Sequence, residues 1–179
     1  ARTCTIGLTQ AYARQHGRQF TALVAGNVCG QGDGSALQSA QVLPALVRRF
    51  GAAVLRGDIR VVLRVTVRSL PEFVHADDLA DAAVFVAETC HGGDAVDCDP
   101  AGEIRFDHLA RLVADTVGFR GEIVVEAAGQ DSAPSAPSGC RPLAALGWRP
   151  KVTLRDAVRR LNRDWRDQAT ATGRRSGIT

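Results

Sequence analysis

Four arginines fall close together: Arg48 and Arg49 near the end of one apolar-periodic run, then Arg56, then Arg60 at the head of a β-branched run. Guanidinium groups on a helix end beside a strand can grip a diphosphate through paired N–H···O bonds. A solvated helix face explains the same residues, and the sequence alone leaves both readings open. His75-Ala76-Asp77-Asp78 carries acid–base side chains. A histidine between a strand end and a helix start is more often structural, with Asp77 or Asp78 as the cap and both carboxylates meeting orphan backbone N–H groups. Cys90 and His91, with Asp97, Cys98 and Asp99, are metal-type ligands whose spacing matches no standard zinc pattern, so no metal is expected. Gly30-x-Gly32-x-Gly34 invites a phosphate-loop reading. The dinucleotide fingerprint is G-x-G-x-x-G leading straight into a helix, and here Ser35 to Gln41 intervene, so a loop without phosphate chemistry is the expectation.

These groups need elements to hold them. Apolar residues from Thr5 to His16, stopped by Gly17, predict a helix already under way at the first residue. Phe20 to Ala25 reads as a buried strand of a parallel sheet, followed by a polar loop from Cys29 to Ser35. Val42 to Phe50 has helical spacing, with Pro44 tolerated only in the first turn. Arg60 to Val67 is a β-branched strand, and a helix starts near Asp77. Ala95 to Cys98 and Glu122 to Glu126 are further strand candidates, and Phe106 to Val117 is a helix closed by Gly118. Gly129 to Gly139 has no periodicity, and Pro142 to Leu146 reads as one helical turn. The last helix runs from about Leu154 to Trp165, its arginines at 159, 160, 163 and 166 interleaved with Asp156, Asp164 and Asp167 as exposed pairs. Alternating strands and helices give the α/β class, with no clear place to cut the chain in two.

Composition bounds the rest. At 179 residues, 45% hydrophobic and 23% charged, the chain has material for a core and is not a disordered segment. That length suits one domain, or a large piece of one. Its 22 basic and 19 acidic residues leave +3, which compels neither a nucleic-acid nor a membrane partner. The five cysteines include no C-x-x-C pair, which argues against a disulfide framework and places the chain in a reducing, cytoplasmic setting. No apolar run approaches the ~20 residues that a membrane-spanning helix needs.

Four segments in order carry a family resemblance: Asn27-Val28-Cys29-Gly30; Val42-Leu43-Pro44-Ala45-Leu46-Val47-Arg48-Arg49-Phe50; Glu72-Phe73-Val74-His75-Ala76-Asp77-Asp78-Leu79-Ala80-Asp81-Ala82; and Leu146-Gly147-Trp148-Arg149-Pro150. They resemble the C-terminal half of the GDP-L-fucose synthases, which are extended short-chain dehydrogenase/reductases. The resemblance implies the last Rossmann elements and the small substrate-binding subdomain over residues 1–168, an incomplete reductase, followed by a polar tail at 169–179. It further implies NADP-dependent epimerisation and reduction of a 4-keto-6-deoxy GDP-mannose, with the pyrophosphate-binding turn and the catalytic tyrosine upstream of this chain.

Residue by residue, the same resemblance places Arg2 at the family's catalytic lysine and Gln41 at its acid–base histidine. An arginine differs from lysine in reach and geometry, and a carboxamide transfers no proton near neutral pH. The nicotinamide end of the cofactor would lie against Ala25, Gly26, Asn27 and Val28, where the family reads Pro-Thr ahead of the asparagine. Arg49 matches an arginine used on the substrate diphosphate. Arg64 stands at a tryptophan and Pro71 at an arginine of the substrate site, and the family's cationic loop corresponds to residues 129–136 without its cations. The expectation is a chain inactive alone. It would be a homo-oligomer or would pair with a complementing Rossmann half; a nucleotide-sugar-binding scaffold and one half of a split enzyme are the alternatives.

Overall fold

The computed structural model describes residues 2–31, 42–66, 69–90, 92, 95–99, 102–127 and 140–175. In chain order the elements are α1 (Arg2–His16), β1 (Ala22–Val24), β2 (Asn27–Cys29), α2 (Val42–Arg56), β3 (Arg60–Val65), β4 (Ser69–Pro71), β5 (Phe73–His75) and α3 (Ala76–Thr89). Then follow β6 (Ala95–Asp97), β7 (Glu103–Arg105), α4 (Phe106–Val117), β8 (Glu122–Ala127), β9 (Arg141–Pro142), a 3₁₀ turn (Leu143–Leu146) and α5 (Leu154–Arg175). The α/β class holds. The fold divides into two compact units, each assembled from three separate chain segments, so no single cut in the sequence could have marked the boundary.

The first unit takes residues 1–28, 71–102 and 133–152. Its sheet has the order β1-β6-β9, with both pairings parallel: Leu23 lies opposite Val96, and Val96 opposite Arg141. Val96 is fully buried and anchors a cluster with Val74, Ala82, Val86, Cys98, Leu143 and Trp148. Ala82 and Val86 sit one turn apart on α3, which gives that helix its apolar stripe. The expected strand Phe20 to Ala25 is shorter than read, and Phe20 is exposed.

The second unit takes residues 29–70, 103–132 and 153–179. β3 and β8 pair in parallel over six positions, with Arg60 opposite Glu122 and Arg64 opposite Glu126. Val61 and Leu63 point to the other face and are buried. α2 buries Leu43, Leu46, Val47, Phe50 and Ala53, a spacing of three and four residues. The Phe50 ring meets Phe119 at 5.4 Å, tilted by 43°. α4 ends as expected: Gly118 takes φ 93°, a left-handed position that suits glycine, and returns its N–H to Ala114.

α2 and α5 approach closely at Gly51, where a Cβ would collide with the Trp165 ring. We therefore expect Gly51→Ala to destabilise the protein by about 1–2 kcal/mol, because an indole in a packed groove yields little. A urea melt reads the effect, and Trp165→Leu in the same chain should recover part of it.

Three local expectations change. The helix near Asp77 is capped by His75, whose Nδ1 accepts the Asp77 N–H at 3.1 Å, and not by Asp77 or Asp78. Cys29 belongs to a strand and not to the loop that follows it. α5 continues through Arg175 into the segment read as a polar tail. The expected loops at 32–35 and 129–139 lie outside the described residues, as does His91. Among the described residues, no helix is long and apolar enough to cross a membrane.

Candidate functional site

In the first unit, Ala25 and Gly26 join β1 to β2, and the residues just past β6 meet the end of β1 and this turn. The Cys98 N–H extends the ladder to the Val24 carbonyl at 3.0 Å. One residue on, Asp99 Oδ1 accepts the Gly26 N–H at 2.6 Å, while its own N–H donates to Asp97 Oδ1 at 3.0 Å. The carboxylate lies so close that a Cβ at Gly26 would collide with it. Cys98 is 1% exposed. Burial first, then Asp99 and Asp97, push its thiol up to about 12, so without a metal it stays protonated at neutral pH.

His75 is buried, and the cap it forms on α3 occupies its Nδ1. The structural reading of this histidine therefore holds. The two carboxylates one and two turns further along α3 reach outward from the helix. Asp78, 2% exposed, accepts the backbone N–H groups of Lys151 at 3.0 Å and Val152 at 2.9 Å. Asp81 accepts the Trp148 indole N–H at 2.9 Å and the Lys151 ammonium at 2.7 Å. Sequence reasoning missed this clasp. Its available signal was Lys151, the sole lysine, placed three residues after Trp148.

Hydrogen bonds from Lys151 and then Trp148 hold the Asp81 carboxyl below its ordinary range. A carboxylate depressed in the folded state stabilises above its unfolded pKa, about 3.9, and loses that contribution as pH falls through the folded value. We expect the stability gap between wild type and Asp81→Asn to be open at neutral pH and to close on acidification below about pH 4. Urea midpoints across that range check it.

In the second unit, the four arginines singled out by spacing line one concavity of about 640 Å³, together with Asp58. Arg48, Arg49 and Arg56 come from α2, and Arg60 opens β3. The Arg49 guanidinium donates to the Val62 carbonyl at 2.8 Å. Arg56 grips Asp58 Oδ2 through Nε at 3.1 Å and Nη2 at 2.7 Å. Arg60 pairs with Glu122 at 3.2 Å. Arg64 is 82% exposed and pairs with Glu126 at 3.1 Å. Arg2 opens α1 and Pro71 closes β4, while Gln41 lies outside the described residues. Of the α5 arginines, Arg159 forms an exposed pair with Asp156 at 2.9 Å, while Arg166 instead donates to the Val117 carbonyl at 3.3 Å.

Residues 1–97, more than half of the chain, match the NAD dependent epimerase/dehydratase family. The chain belongs to that family. Within it, GDP-L-fucose synthase 1 of Arabidopsis thaliana is 38% identical over 158 residues, which is 88% of this chain and 49% of that protein. GDP-L-fucose synthase of Escherichia coli (strain K12) is 31% identical, over 86% of this chain and 51% of its own length. The chain thus spans about half the length of the curated relatives it matches. A GDP-mannoheptose C4 reductase from Campylobacter jejuni, solved with NADP bound, superposes with a TM-score of 0.71 at 26% identity, over 92% of this chain and 55% of that one. A GDP-L-fucose synthetase from Naegleria fowleri bound to NADP has the same fold, with a TM-score of 0.71 at 17% identity, over 93% and 52%.

A family named for NAD implies a dinucleotide, and the residues present do not by themselves fit one. The sequence holds no G-x-G-x-x-G turn between a strand and a helix to take the pyrophosphate. In the turn that the resemblance assigns to the nicotinamide, the Gly26 N–H is already bound to the Asp99 carboxylate.

Proposed function

We propose that this family member is the C-terminal, substrate-side half of a GDP-L-fucose-synthase-like enzyme. It would hold the diphosphate of a nucleotide-sugar through Arg49 and catalyse neither hydride transfer nor epimerisation alone. The observation that carries this is the position of Arg49, an exposed guanidinium on α2 that faces a concavity and donates there to the neutral Val62 carbonyl. A guanidinium so placed can exchange a neutral acceptor for a phosphate at little cost. Against catalysis stand Arg2 and Gln41, which the resemblance sets at the family's lysine and histidine positions. Each lost acid–base group typically lowers the rate by about 10²–10⁴-fold.

Titration with GDP and with NADPH, followed by an assay of NADPH oxidation with GDP-4-keto-6-deoxymannose, tests the reading. The expected results are GDP binding that Arg49→Ala weakens about tenfold or more, and no steady oxidation by the chain alone. A sustained rate, or GDP binding indifferent to Arg49, overturns it.

A partner is part of the same proposal, either a second copy or a chain supplying the Rossmann half in a cytoplasmic setting. β1 has a single strand neighbour among the described residues, and Leu8 and Tyr12 of α1 are 59% and 48% exposed. An open parallel edge beside exposed apolar side chains favours association. Sedimentation of a well-folded monomer at micromolar concentration counts against it.

A further inference from the structure

The face of the β3–β8 pair that points away from Val61 and Leu63 carries two rows of opposite charge. Alternation along each strand puts Arg60, Val62 and Arg64 in one row and Glu122, Val124 and Glu126 in the other. The parallel register aligns the rows rung by rung, and the side chains follow it. Arg60 meets Glu122 at 3.2 Å, and Arg64 meets Glu126 at 3.1 Å. The four charged side chains are 50–82% exposed, and the two valines between them are half-buried. An isolated exposed pair contributes little to stability, whereas charges joined in a network contribute more.

We propose that this face docks on the same face of a second copy in a weak two-fold contact. With the axis parallel to the strands and between the rows, the arginine row of one copy stands over the glutamate row of the other, and Val62 stands over Val124. Each end of the contact then holds two arginines and two glutamates in a closed network around an apolar centre. An axis across the strands would set Arg60 over Arg64 and Glu122 over Glu126, so charge selects the first arrangement. Stacked sheets sit about 10 Å apart and about 30° askew, a gap that arginine and glutamate side chains span together. The rows cancel in charge, so neither a nucleic acid nor an anionic membrane has a field to follow. Another protein would need both rows at strand spacing and in reversed order, which a second copy brings by symmetry. Three side chains from each strand are far fewer than the roughly 20–30 residues a side of a stable interface, so the contact depends on concentration.

Sedimentation velocity from micromolar to submillimolar protein tests the contact. It is run on the wild-type chain and in a Leu8→Asp/Tyr12→Asp background, which silences the α1 surface offered to a partner above. In that background a dimer should grow with concentration and weaken with added salt. Arg64→Glu sets like charges against each other across the axis, and so does Glu126→Arg; each should weaken self-association about tenfold or more. Mixed in equal amounts, the two swapped chains bring opposite charges back together at both positions and should associate within about threefold of the unswapped chain. Rescue by mixing is a result that unfolding cannot produce. The proposal is overturned by a chain that stays monomeric across the range, by swapped chains that associate as before, or by a mixture that stays monomeric. Thermal melts confirm folding; if a swapped chain is unfolded, Arg64→Ala and Glu126→Ala decide, each weakening association about threefold or more. With α1 silenced, failure here leaves the partner of the proposed function untouched, and GDP binding through Arg49 is read separately.

Discussion

Replacing Asp78 by alanine is expected to lower the unfolding free energy by about 3–5 kcal/mol, because hydrogen bonds to a charged group each contribute about 1.5–3 kcal/mol and here there are two. The side chain is 2% exposed, so water does not replace it at the Lys151 and Val152 N–H groups. The bonds join α3 to a chain position more than seventy residues away, |i−j| 73 and 74, so their loss releases a long-range tie. Asp78→Asn should fall between, since one carboxamide oxygen can serve one N–H while the NH₂ opposes the other. Urea unfolding gives the magnitude, and faster amide exchange at Lys151 and Val152 in Asp78→Ala gives the location. A loss below about 1 kcal/mol with unchanged exchange at those two amides would show that the clasp is incidental.

The elements that sequence resolved best were those with a strong period and a clear stop. Phe106, Leu109, Ala110, Val113, Ala114 and Val117 repeat at helical spacing and Gly118 ends them, so α4 is legible to the residue. α5 was read short because its apolar stripe ends near Trp165. Beyond that point the helix is kept by polar means, such as the Thr170 hydroxyl donating to the Arg166 carbonyl one turn back. The cap on α3 was misread for a related reason. Aspartates at a helix start usually serve their own backbone. Asp78 instead serves residues 151 and 152, a choice made by tertiary packing that no local pattern records.

The candidate site divides the same way. The arginines of α2 were legible because helical spacing puts positions 48, 49 and 56 near one face, and the structure does gather them with Arg60. Their carboxylate partners were less so. Asp58 is a neighbour in sequence, but Glu122 meets Arg60 only through the register of β3 with β8. The Asp99 contact on Gly26 spans 73 residues and depends on a parallel ladder between β1 and β6. Composition and spacing contain no trace of it.

That contact supplies the second large effect. Gly26→Thr is expected to destabilise this protein by about 2–3 kcal/mol. The new Cβ would overlap the Asp99 carboxylate, and moving that group breaks its 2.6 Å bond from the Gly26 N–H. The cost should therefore belong to the pair and not to threonine itself. Asp99→Gly alone forfeits one charge-assisted bond, about 1.5 kcal/mol, and in that background Gly26→Thr should add less than about 1 kcal/mol. Urea melts of the four chains complete the double-mutant cycle, with an expected coupling of about 1–2 kcal/mol. Additive effects, or a Gly26→Thr chain as stable as wild type, would mean that Asp99 moves aside freely and that the turn is not closed by it. Strong coupling would mean that glycine and aspartate here form a matched pair that closes the turn.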